Sequence, residues 1–296
     1  MRQNLNPVRR PVRAFHRRSR EMLIELASPY AYAAILSCYG VSLTLFFIDF
    51  LRDNKLANRV GLFTLGVVWV LETVILSQRV LAQHALPLYS YVQATLFFAW
   101  LLISLSVAIS LFSRIDFFTL FVNLFGFLLV GFDAIVHGHL ATAVPQQGDL
   151  LVLHISVSIL SYLLFSVSAI FSVLYLLEDT ALRKKRFASG PFRRLPALER
   201  LDVYAYRTAL VGGPLLLIGM LIGAIWYAML TRHFLWLDPK PIASGLLLVL
   251  YFIYLWLRGT ERISGRRAAW FNLISFVGVL LNFLVIGEFM SAFHRW

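Results

Sequence analysis

Seven histidines punctuate the chain, at positions 16, 84, 137, 139, 154, 233 and 294. Imidazole is the residue type here best suited to ligating a transition metal or carrying a proton near neutrality. His154 has the most informative surroundings. Ser158, Ser161, Ser168 and Ser172 follow it at helical spacing and form a stripe of small side chains that lets a second helix approach closely. A histidine at the end of such a stripe faces protein, where a ligand can be held in one geometry. His137-Gly138-His139 places two imidazoles close together, but no third ligand stands near it in sequence. Cys38 is the only cysteine, so a disulfide framework, a Cys-rich zinc site, a redox thiol pair and a CxxCH attachment site are all excluded. The sequence also has no glycine-rich phosphate loop, no HExxH pair and no Ser/His/Asp arrangement. These residues point to binding, and the chain is expected not to be an enzyme.

The elements that must hold these histidines are dictated by composition. Of 296 residues, 59% are apolar and 14% charged, whereas a soluble domain carries about a quarter charged residues. With roughly 20 apolar residues needed per crossing, the apolar content suffices for about eight spans. Runs of suitable length fall at about 29–50, 60–78, 90–112, 117–136, 150–177, 204–230, 243–257 and 268–290. None alternates as a barrel strand would, so the expected fold is all-α, a polytopic bundle of about eight transmembrane helices. Residues 1–28 read as a basic N-terminal tail and 29–296 as one bundle. Translation starting at Met22 is one explanation of the tail; a tail kept inside, with a re-entrant first run, is another.

The net charge of +12 is read as membrane orientation rather than nucleic-acid binding. With the N-terminus outside, the inner connections hold fifteen basic residues: Arg52, Lys55, Arg59, Arg114, Arg183, Lys184, Lys185, Arg186, Arg193, Arg194, Arg200, Arg258, Arg262, Arg266 and Arg267. The outer ones hold four, Arg79, Arg232, Lys240 and Arg295. Basic residues favour the inner side, so both termini are expected outside a plasma membrane. Seven arginines of the tail stand against this division.

Under that orientation His84, His137, His139, His154, His233 and His294 all fall at the outer side, as do Glu72, Gln78, Gln93, Asp133 and Glu288 within the spans. Asp49 and Asn123 lie near the inner face instead. Ionisable residues inside a membrane are costly and usually face a bundle interior or a wet cavity. The set is therefore read as an outward-facing polar pocket, the alternative being ordinary interfacial residues. Gly212-Gly213-Pro214 is expected to bend the sixth helix, and Gly219 and Gly223 give it a GxxxG packing face. The basic stretch within 178–203 serves as a topology anchor or as a docking site for a cytosolic partner.

Several segments resemble the cytochrome c assembly (CcsA/CcmC) superfamily, and within it the HemX proteins of bacterial haem biosynthesis. Phe47-Ile48-Asp49-Phe50-Leu51, Lys55-Leu56-Ala57-Asn58-Arg59 and Val68-Trp69-Val70-Leu71 look like the first HemX hairpin. His154-Ile155-Ser156-Val157-Ser158 with Ser161-Tyr162 is similar to the HVS...SY signature shared with CcsA, whose histidine is an outer haem ligand. Trp236-Leu237-Asp238-Pro239-Lys240 resembles the WxWDPK segment that holds haem. His294 resembles the second outer histidine, and His84 the one preceding the third helix. Two departures stand out. The expected tryptophans of the WxWDPK segment fall on Leu235 and Leu237, and the intramembrane histidine of the next helix falls on Trp256.

The resemblance implies a haem-biosynthesis membrane protein, a regulator lowering glutamyl-tRNA reductase levels, with contact to that enzyme or another cytosolic protein through 178–203. It further implies haem b held without covalent attachment between His154 and His294, with His84, Trp236 and Asp238 nearby and Trp226 and Phe234 available to cover the macrocycle. The alternative is a haem transport or handling component of cytochrome c maturation, against which both departures count. A generic permease is less favoured, since broken-helix pairs and inverted symmetry are missing.

Overall fold

The computed structural model describes residues 9–83, 91–112, 116–137, 148–184, 196–231 and 238–290, with side chains over 30–78, 80–81, 94–110, 118–132, 134–135, 148–184, 196–230 and 238–286. Among these residues eight helices follow one another: α1 (Arg9–Arg52), α2 (Lys55–Gln83), α3 (Tyr91–Phe112), α4 (Asp116–His137), α5 (Asp149–Arg183), α6 (Leu198–Thr231), α7 (Pro239–Gly259) and α8 (Gly265–Leu280). Six carry stretches long and apolar enough to cross a bilayer; Ala94–Ser110 of α3 and Phe118–Phe132 of α4 are shorter apolar stretches. The chain is an all-α polytopic membrane protein. A helix stands at each of the eight expected positions, six of them long and apolar enough to span, with their ends moved. Helix α1 already begins at Arg9 rather than near 29, and α5 and α6 run past their apolar stretches to Arg183 and back to Leu198. Hydropathy reports only the stretch lipid can hold, whereas intrahelical hydrogen bonds continue into polar turns that meet no breaker.

One end of α8 departs from the expected α-helix. Residues Leu281–Met290 continue as a π-helix, a form that occurs mostly as short widened turns near functional sites. Pro214 lies inside α6, which remains helical from Leu198 to Thr231.

Side chains are packed into two clusters that share α3 and α4. In the first, Ile35, Tyr39 and Phe46 of α1 meet Leu65, Val68 and Leu76 of α2 and Leu96, Ala99 and Ile103 of α3. In the second, α5 forms the axis: Ile155, Ile159, Phe165, Phe171 and Leu174 contact residues of α3, α4, α6, α7 and α8. The most extensive helix pair is α5 with α6. Because lipid is as apolar as these side chains, association rests on close van der Waals fit and interhelical hydrogen bonds rather than on expulsion of water.

The hairpin turns are chemically explicit. Between α1 and α2, Asp53 adopts φ 53°, a left-handed conformation that Asp tolerates better than most residues. The Asn54 side chain accepts from the Leu56 and Ala57 amides at 3.0 and 3.1 Å, capping α2. Asn58 Nδ2 then donates to Asp49 Oδ2 at 2.9 Å, closing the hairpin across its mouth. At the same end of the bundle, Asp179 of α5 pairs with Arg183 at 2.9 Å and with Arg266 of α8 at 3.1 Å. Asp202 of α6 pairs with Arg258 of α7, and the Arg262 guanidinium lies 4.5 Å from the Trp256 ring centroid. This is the basic end of the bundle; His154 and Asp238 lie toward the other.

Candidate functional site

His154 is placed by the fit of α5 against α6. A Cβ built on Gly223 would lie 2.6 Å from both Nδ1 and Cε1 of the His154 ring, and one on Gly219 would lie 2.8 Å from Ser158 Oγ. The two glycines of the GxxxG face therefore leave the space that His154 and Ser158 fill. The imidazole is partly buried, and its Nδ1 lies 2.6 Å from the Gly219 carbonyl oxygen. A carbonyl oxygen only accepts, so Nδ1 carries the proton, and in the neutral ring Nε2 keeps its lone pair. The ring edge nearest α6 is the Cγ, Nδ1, Cε1 edge, so Nε2 is on the edge turned away from that helix.

Below His154 the serine stripe meets α6 and α8. Ser161 Oγ donates to the Gly212 carbonyl at 2.9 Å and Ser168 Oγ to the Ala205 carbonyl at 2.6 Å. Asn272 Nδ2 of α8 donates to Ser168 Oγ at 2.7 Å and to Ser172 Oγ at 2.8 Å. Higher up, Asn282 in the π-helical segment donates through Nδ2 to Tyr162 Oη and to Ser244 Oγ, both at 3.0 Å. Asn272, Ser244 and Asn282 were not singled out in the sequence reading. An amide inside an apolar run is itself costly, and that cost was the available signal.

Asp238 is buried and its carboxylate accepts from the Lys240 amide at 3.0 Å, capping α7 with Pro239 at its first turn. Trp226 lies one turn beyond Gly223 on α6, and its indole Nε1 would be 3.4 Å from a Cβ on Gly148, just before α5. Trp226 thus closes over the start of the helix that carries His154. His84, His139, His233, Phe234, Trp236 and His294 lie outside the described residues, as do 185–195 of the basic connection; of His137 only the backbone is described. Trp256, at the position where an intramembrane histidine was expected, is 47% exposed and points out of the bundle. Among the described residues no three His, Cys, Asp or Glu side chains gather to hold a metal ion.

Residues 88–294 match the sequence model of the family described as "Cytochrome C assembly protein". The chain belongs to the cytochrome c assembly family. It is similar to Protein HemX of Bacillus subtilis (strain 168), with 32% identity over 92% of this chain and 99% of that protein. Protein HemX of Brevibacillus brevis is 33% identical over 90% of this chain and 98% of its own length. Cytochrome c biogenesis protein CcsA of Guillardia theta is 25% identical over 76% of this chain and 81% of that protein. Among solved structures, Cytochrome c Heme Lyase CcmF shares the fold, with a TM-score of 0.63 at 14% identity, covering 88% of this chain and 47% of CcmF. The family match begins near α3, so the α1–α2 hairpin precedes the family's common core.

Proposed function

We propose that this chain is a HemX-like integral membrane regulator of haem biosynthesis that binds haem b non-covalently at its outer face and turns over no substrate. The observation that carries the reading is the hydrogen bond from His154 Nδ1 to the Gly219 carbonyl. A backbone acceptor on one imidazole nitrogen orients the ring and leaves the other nitrogen as a neutral donor, the arrangement used by metal-ligating histidines. The donor chemistry and the glycine cradle at Gly223 fit a haem ligand. In this reading His154 and His294 supply the two axial nitrogens, while His84 and Trp236 flank the macrocycle. Asp238 acts by setting where α7 begins. Haem, when bound, supplies an iron whose ligation state can report haem supply.

Two further parts belong to the same reading. The chain lies in the plasma membrane with both termini outside, consistent with an even number of spans and the bias of basic residues. Its inner connection 178–203 contacts glutamyl-tRNA reductase or another cytosolic protein and lowers the abundance of the reductase. Support for regulation over haem transport comes from Trp256, which stands where a relay histidine would be needed and faces away from the bundle interior.

The test is spectroscopic. Purified protein supplied with haem should give a six-coordinate low-spin spectrum, converted or abolished by His154→Ala and by His294→Ala. Protein that stays colourless, or a spectrum indifferent to both substitutions, overturns the binding site. Unchanged reductase abundance on deletion of the gene overturns the regulatory part.

A further inference from the structure

Glu72 of α2 is 1% exposed, and neither carboxylate oxygen has a hydrogen-bond partner. It sits in an otherwise apolar stripe formed by Leu65, Val68 and Leu76, all buried against α1 and α3. A lone carboxylate in such a place costs several kcal/mol, while the neutral acid costs far less.

Among the described side chains, the groups around it offer no cation. Along 31–48, α1 has no charged residue, and its titratable side chains there are Tyr32, Cys38 and Tyr39. Tyr39 is the one within electrostatic reach of Glu72, and its hydroxyl donates to Asn123 Oδ1 of α4. Helix α3 carries no charged residue, Tyr91 at its start being its only titratable group. The Arg79 backbone lies seven residues further along α2, about 10 Å of helix rise.

What flanks Glu72 gives its charge state a consequence. Three residues before it, Trp69 Nε1 donates to Ser104 Oγ of α3 at 2.8 Å. One residue after it, Thr73 Oγ1 accepts from Trp100 Nε1 of α3 at 2.8 Å. The two indoles stack with centroids 6.1 Å apart. These reciprocal bonds join α2 to α3 at the residues on either side of Glu72 in the sequence.

We propose that Glu72 is a proton-binding site in the buried stripe of α2 that packs against α1 and α3. On ionisation the O–H bond of its carboxylic acid breaks and the proton passes to a water molecule that enters beside it, leaving as hydronium toward the His154 end of the bundle. The resulting carboxylate must draw water to itself, which loosens the Trp69 and Trp100 bonds. The α2–α3 contact is thereby tight while Glu72 is neutral and loosened when it is charged. This device lies outside the haem site and does not depend on it.

The test uses the full chain in lipid vesicles. Difference infrared spectra of wild-type protein should show a protonated-carboxyl C=O band at neutral pH that is lost as pH is raised. Tryptophan emission should shift over the same pH range. Glu72→Gln should remove the band and flatten the emission response, and Trp69→Phe should diminish the response while keeping the band. Should the glutamine variant fail to insert, Glu72→Asp keeps a carboxyl and should move the band rather than abolish it. A band untouched by these changes, or emission curves that superimpose for wild type and Glu72→Gln, overturns the proposal. So does a Glu72 already ionised at neutral pH.

Discussion

The Nδ1 atom of His154 lies 2.6 Å from the carbonyl oxygen of Gly219, four residues before the glycine whose missing side chain makes room for the ring. One hydrogen bond thus sets the tautomer, and one absent Cβ sets the position. Both come from α6, so the chemistry of a residue on α5 is decided by the helix packed against it.

Gly223→Ala should therefore act on the proposed site directly. The added methyl group would stand 2.6 Å from the imidazole, and overpacking of this kind costs about 1–3 kcal/mol. The expected outcome is haem binding weakened at least tenfold in a titration followed by absorbance, with the protein still inserted. Gly213→Ala, whose Cβ would meet Leu255 at an ordinary 3.5 Å, should bind as wild type does.

Asn272→Leu should separate stability from binding. It removes two hydrogen bonds between α8 and α5, each worth about 0.6–2 kcal/mol in a membrane. Thermal unfolding in detergent should begin several degrees lower, while the haem spectrum keeps its axial signature.

Asp238→Ala removes the cap of α7 and should cost about 1 kcal/mol of stability, with Asp238→Asn nearly neutral because its amide oxygen can still accept. If Asp238 acted on haem through its charge, the two variants would shift the haem spectrum alike, so the comparison separates capping from ligand contact.

Arg183, Lys184, Lys185 and Arg186 converted together to glutamine should raise glutamyl-tRNA reductase abundance, read by immunoblot. Arg183 already pairs with Asp179, but Arg266 holds the same carboxylate, so the bundle end should survive the change. A reporter fused after Trp296 checks topology in that variant: activity should remain outside. The same fusion on a chain begun at Met22 should insert and behave as the full chain does.

Much of this protein was legible before any coordinates. Eight apolar runs far from water have one satisfactory backbone solution, the helix, and the excess of Arg and Lys on one set of connections groups the helix ends. The Gly219 and Gly223 pair announced a close approach, because only a missing side chain lets two helix backbones draw together. The HVS...SY segment singled out His154. These are properties of composition and local spacing, and they need no partner to be recognised.

The tertiary structure alone decided which surfaces meet. Sequence spacing put Ser161, Ser168 and Ser172 on one face without saying that they would divide between the carbonyls of α6 and the amide of Asn272 on α8. It marked Asp238 as a haem-segment residue without showing that its carboxylate caps α7. It counted Glu72 among the polar groups of an outer pocket, yet packing buried it in an apolar stripe against α1 and α3. Helix formation follows from bonds within each run, but the environment of a side chain depends on the helix opposite, and residues distant in sequence supply it.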